Sequence, residues 1–287
     1  MDAKQMLLLL LTVSLAGLVV TVGMNSTRQD VLYVLTRPKL LLKAILAVDI
    51  IPPAAAMLLM WFLPIEPVVK AGIVLMAIAP VPPLVPGQEL GLGARKEYAY
   101  GVYCALAVLT IVVVPIIFNI AAHLWGRDDH VGFATIARTI ATGVILPLLI
   151  GMTIRRLFPA FAAKAAIWVY RLSMLLIVLA FLPIIAAIWK PLVGLIGDGT
   201  LLAMILVVLV TLAGGHLLGG PERVDRATLA IAASVRHPGI ALMLANANFV
   251  DHRVTAAVLL FMLVGLTVGT IYKQVFKHRG ATVAAAS

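Results

Sequence analysis

Nine stretches of this chain stay apolar long enough to cross a bilayer as helix, and this constrains the fold more than any motif does. A spanning helix takes about 20 apolar residues, because every backbone amide must be satisfied inside the segment. The stretches fall near 6–24, 39–63, 68–85, 98–122, 135–153, 165–189, 199–218, 227–249 and 254–276. The first, behind Lys4, reads as a span rather than a signal peptide, since about 19 apolar residues exceed the usual 7–15 of such a leader. With 63% apolar and 12% charged residues, too little polar surface remains to coat a water-soluble particle. The expectation is an all-α polytopic membrane protein, forming a single unit over residues 1–287.

The net charge of +10 is read against the membrane before any other partner. Allotting basic residues to the two sides of a nine-span chain gives thirteen on one, among them Arg28, Arg37, Arg95, Lys96, Arg155, Arg156, Arg223, Arg226, Lys277 and Arg279. The other side receives five: Lys4, Lys70, Arg127, Lys190 and Arg253. Positive-inside counting then predicts an outside N-terminus, a cytoplasmic C-terminus, residence in a plasma or inner membrane, and no nucleic-acid partner. Connections are short, so chemistry must occur within the membrane. The lone Cys104 sits in an apolar run and permits no internal disulfide.

Two spans cannot be continuous. The third ends in Ala79-Pro-Val-Pro-Pro-Leu-Val-Pro-Gly87, whose prolines cannot sustain a helical ladder. In the eighth, Ala233-Ser-Val-Arg-His-Pro-Gly-Ile240 places Pro238 and Gly239 directly after two polar residues. Non-helical backbone at this depth survives only where protein buries it or where it lines a wet cavity. Spans three and eight are five apart, so they cross in opposite directions, as an inverted repeat would have them do. Matching interruptions in two halves point to the binding site of a secondary transporter.

Here the chain resembles the bile acid:sodium symporter family over nearly its whole length. Val22-Gly23-Met24, then Asp30, Val31 and Arg37-Pro38-Lys39, is similar to that family's signature between two helices. Pro53 sits where the family places a proline. Ala79-Pro80 through Ala94-Arg95 resembles its first crossover, and Ser234 to Ala241 its second. The resemblance implies a nine-helix form with a shortened first repeat (four helices, 1–122) and a five-helix second repeat (131–280). Two broken, crossing helices (79–88 and 233–240) would lie in a core domain, with a panel domain beside it. It also implies uptake of organic anions, bile-acid-like or smaller carboxylates, driven by sodium in studied members. The family's sodium-ligand positions hold Val85 to Gln88, Val48 and Ala232 here. Only Gln88 keeps a good oxygen ligand, whereas sodium favours several oxygens including a carboxylate.

Charges deep in the bilayer need a reason, because each costs about 2.5–3.5 kcal/mol at the centre. Lys43, Arg138 and Arg171 lie close enough to span ends to serve as anchors. Asp49 and Arg236 share a depth about 15 Å from the cytoplasmic end of their spans at about 1.5 Å per residue. They read either as a self-neutralising ion pair or as a site in which Arg236 grips an anion and Asp49 is its counterion. Asp49 and His237 are also candidate proton carriers, and Gln88 a candidate ligand for sodium or a proton relay. Ser234, Pro83 and Gln88 join Arg236 and His237 as candidate substrate contacts, and His216 reads as a packing residue. No resident cofactor or metal is expected. No nucleophile-base or metal-ligand motif points to an enzyme. The alternative is a cation/proton antiporter of similar crossed-helix fold.

Overall fold

The computed structural model describes residues 3–126 and 131–286. Arg127, and the side chains of Lys4 and Arg279, fall outside what is described, so those members of the orientation count are not placed. Thirteen helices follow in order: α1 Ala3–Asn25, α2 Arg28–Leu35, α3 Pro38–Phe62, α4 Pro67–Ile78, α5 Val85–Leu90, α6 Lys96–Leu124, α7 Phe133–Leu157, α8 Pro159–Ala187, α9 Trp189–Gly194, α10 Thr200–Leu218, α11 Arg223–Ser234, α12 Pro238–Asn248 and α13 Arg253–Ala286. No strand occurs among the described residues. Among the described residues seven spans are long and apolar enough to cross a membrane: α3, α6, α7, α8, α10, the pair α11–α12 and α13. The bent pair α1–α2 makes an eighth, while α4 is apolar but only 12 residues long. The chain is an integral membrane protein.

The residues of the first signature build turns. α1 gives way to α2 at an 85° bend. Thr27 caps α2: its hydroxyl accepts from the Asp30 amide at 3.2 Å, and its own amide donates to the Asp30 carboxylate at 2.6 Å. That reciprocal pair explains an Asp that is only 3% exposed. Arg37 donates to the Tyr33 carbonyl at 2.8 Å and lies 3.8 Å from the centre of the Tyr33 ring. Pro38 then starts α3, where its missing N–H costs nothing.

Both α3 and α7 contain one wide turn, at Leu46–Ile50 and Ala141–Ile145, in which the ladder slips to i→i−5. Proline causes it in both: Pro52 and Pro53 in α3, and Pro147 in α7, cannot donate to the carbonyl four residues back. The turn in α3 brings Asp49 into the protein interior.

The helices pack as two groups. α1, α7 and α8 lie together, α3 to α6 with α10 to α13 form the larger body, and α6 packs on α7 to join the two. The smaller group closes on a glycine seam, as membrane helices without a hydrophobic drive between them commonly do. A Cβ at Gly23 would stand 2.3 Å from the Leu148 carbonyl oxygen, and one at Gly151 2.2 Å from that of Val20. In the larger body α4 packs on α12 and α11 on α5, so the first half of each broken span meets the second half of the other. One ion pair pins each end of this crossing. Arg253, the first residue of α13, reaches Glu66, before α4, at 3.1 Å, and Arg95, after α5, reaches Asp225 in α11 at 3.1 Å. Hydrogen bonds from Arg253 also hold the Asp251 carboxyl below its ordinary value.

Because backbone opposes backbone at the seam, Gly151→Val should lower stability by about 2 kcal/mol or more, read as the thermal midpoint of the detergent-solubilised protein. Gly143→Val, facing open space on the same helix, should change it far less.

Candidate functional site

The site begins with carbonyls that proline leaves without partners. In a regular helix the Val48 carbonyl would accept from residue 52 and the Ala79 carbonyl from residue 83, but both residues are proline. α4 in any case stops at Ala79, and the chain runs non-helically to Leu84 before α5 begins. An unpaired carbonyl in a lipid-embedded interior costs several kcal/mol. Arg236 removes that cost at both places. Its guanidinium donates to the Ala79 carbonyl at 3.2 Å and also to the Val48 carbonyl.

Arg236 can do so because α11 also breaks. Val235, Arg236 and His237 are extended or irregular between α11 and α12. The freed His237 amide donates to the Pro80 carbonyl at 2.9 Å, so the two breaks join backbone to backbone. The His237 ring is 3% exposed and caps α12, its Nδ1 accepting from the Ile240 amide at 3.4 Å. Pro238 follows as the first helical residue.

Arg236 and Asp49 form no direct ion pair, although they are close enough to interact electrostatically. The Nε–H of Arg236 and Oδ2 of Asp49 are buried without hydrogen-bond partners. The arginine is thus fixed by two main-chain oxygens and keeps donor capacity in reserve.

A cavity of about 380 Å³ lies where the crossing faces α1 and α8. Pro83, Gln88, Ser234 and Arg236 all line it, opposite Leu15 and Leu18 of α1 and Met174 and Phe181 of α8. Its walls are otherwise apolar. A second cavity of about 270 Å³ adjoins it, sharing Leu18, Pro83 and Leu84, and carries the more polar Thr21, Asn25, Tyr100 and Arg171. Four residues singled out in the sequence are therefore brought to one wall, while His237 and Asp49 stand behind it. Arg171, Lys43 and Arg138 are exposed, and Arg171 lies 5.3 Å from the Trp168 ring centre. His216 pairs with the Tyr272 hydroxyl at 2.7 Å, away from the crossing.

Two features escape sequence reasoning. Lys273 of α13 donates to the side-chain oxygen of Gln88 at 2.9 Å, from 185 positions away. Glu89 is 1% exposed with Oε2 unpartnered, although its neighbours Gly87, Gly91 and Gly93 suggest a solvated loop. Only the short helix α5 (Val85–Leu90), which folds back into the protein, turns it inward.

If Arg236 holds the breaks together, Arg236→Ala should destabilise the protein by about 3 kcal/mol or more, measured by denaturation in detergent. Adding Pro52→Ala restores an amide for the Val48 carbonyl and should recover part of that loss.

The comparisons agree with this geometry. The family model described as Sodium Bile acid symporter family matches residues 12–213, which include α3 to α8 and the first break. No curated protein sequence matches the chain. Members of the matched family are transporters, not enzymes. A crossing of broken helices beside an apolar cavity, in a chain matched over most of its length, makes this protein a member of the sodium bile acid symporter family.

Proposed function

We propose that the chain is a secondary transporter of a small organic anion. In this reading it has nine spans in inverted repeats, and works by alternating access as α1, α7 and α8 move against the larger body. The cavity at the crossing carries the proposal. It is large enough for a carboxylate with an apolar body and places one cation, Arg236, on a wall whose other polar members are Gln88 and Ser234. The guanidinium of Arg236, which lines the cavity, is the donor for the anion, and α12 directs its N-terminal dipole at the same break. Ser234, Gln88 and Pro83 shape the remaining wall. The positively biased side of the chain is taken as cytoplasmic.

The coupling ion is proposed to be a proton carried by Asp49. Family sodium positions offer Gln88 as the one good side-chain oxygen, and its oxygen already accepts from the Lys273 ammonium. A cation there repels another. Asp49 instead stands beside Arg236, the charged group that faces it, so an anion arriving at Arg236 changes the field at Asp49. Glu89 has no such neighbour. His237 is engaged as a cap.

Proteoliposomes loaded to give an inward proton or sodium gradient test this. Wild-type protein should accumulate a radiolabelled carboxylate under the proton gradient, and Asp49→Asn should abolish accumulation while anion exchange persists. Glu89→Gln should leave proton-driven accumulation in place. Accumulation driven by sodium alone would overturn proton coupling. Normal uptake in Arg236→Lys, which keeps the charge but not the fork of donors, would remove Arg236 as the anion's ligand; a loss of at least about tenfold is expected.

A further inference from the structure

A basic pocket remains that the crossing does not use. α10 ends and α11 begins around Pro221, and the far part of α13 passes beside them. Together they enclose a cavity of about 380 Å³ lined by His216, Pro221, Arg223, Arg226, Tyr272 and Phe276.

Its cations are held in place. Arg223 donates to the Phe276 carbonyl and lies 4.5 Å from the centre of that ring. Arg226 donates its Nε–H to the Gly220 carbonyl at 2.7 Å. The Tyr272 hydroxyl and His216 Nδ1 are 2.7 Å apart. Neither arginine has a carboxylate partner. The adjacent Asp225 is taken by Arg95 at 3.1 Å, and Glu222 is exposed at the head of α11. Each guanidinium therefore retains N–H groups for a ligand.

The surface next to this pocket is apolar and open. Leu217 is 80% exposed and Ile271 55%, on the two helices that frame the cavity, and Val275, 46% exposed, lines its wall. Such side chains belong against acyl chains. A pocket with fixed guanidinium groups at the end of two spans, directly beside a lipid-facing surface, has the form of a headgroup site.

We propose that this pocket binds the phosphate of an anionic phospholipid: Arg223 and Arg226 grip the phosphate, Tyr272 and His216 hydrogen-bond it, and the acyl chains lie along Leu217, Ile271 and Val275. The site is independent of the cavity at the crossing and of what the protein transports.

The test is native mass spectrometry of the full chain in nonionic detergent, titrated in parallel with phosphatidylglycerol, phosphatidylcholine and inorganic phosphate. Wild-type protein should retain phosphatidylglycerol in preference to phosphatidylcholine. Arg223→Gln with Arg226→Gln should retain it roughly twenty-five-fold less, at about fivefold per basic residue. Arg155→Gln with Arg156→Gln removes equal charge elsewhere and should retain it normally. Tyr272→Phe, which leaves the charge intact, should weaken retention several-fold and serves if the double arginine variant does not fold. Equal retention of the two lipids, retention undiminished in the pocket variants, or a loss as large in the Arg155 and Arg156 control overturns the site. Displacement of the lipid by millimolar inorganic phosphate would assign the pocket to free phosphate and overturn the lipid occupant.

Discussion

A carbonyl that has lost its helical partner inside a bilayer has no water to turn to, and the centre of this protein is organised around that fact. Prolines at 52 and 83 withhold the amides that Val48 and Ala79 would otherwise accept from. One guanidinium meets both carbonyls, and the amide of the next residue meets a third, that of Pro80. Removing Arg236 therefore does more than delete a charge, since it returns two polar groups to an unsatisfied state.

The same arrangement divides the labour of the polar residues. Arg236 is part of the scaffold and part of the cavity wall at once, because a guanidinium has more donors than two carbonyls consume. A lysine in its place could not hold two carbonyls in a fixed fork and still face a ligand. His237, beside it, is turned away as a helix cap. The wide turn in α3 sets Asp49 next to the arginine without an ion pair, so its carboxylate feels the positive field of Arg236 without consuming its donors.

Much of this was legible in the sequence because proline and bilayer thickness act locally. The runs of Leu, Val, Ile and Ala locate the spans, and the clusters at 79–86 and 235–239 locate the breaks. What those breaks bind was not legible, since main-chain carbonyls carry no residue signature. The shared depth of Asp49 and Arg236 suggested either an ion pair or an anion site with its counterion; the structure gives Arg236 oxygen partners that no side-chain pattern could disclose. Likewise Lys273 and Gln88 meet only after the chain has folded, and Glu89 is buried by the return of α5 rather than by its apolar neighbours. The signature residues Asp30 and Arg37 prove to be turn builders, which spacing alone could not separate from ligands.

The two terminal ion pairs, Glu66 with Arg253 and Arg95 with Asp225, give the crossing a mechanical character. Each is worth little as stability at an exposed surface, yet with the central junction they fasten the crossed rods at three points. Joined at three points, the rods resist scissoring more than any one junction would alone. If the larger body shifts against α1, α7 and α8, the crossed rods would tilt or translate together, and slip would fall at the apolar wall where the crossing faces α1 and α8.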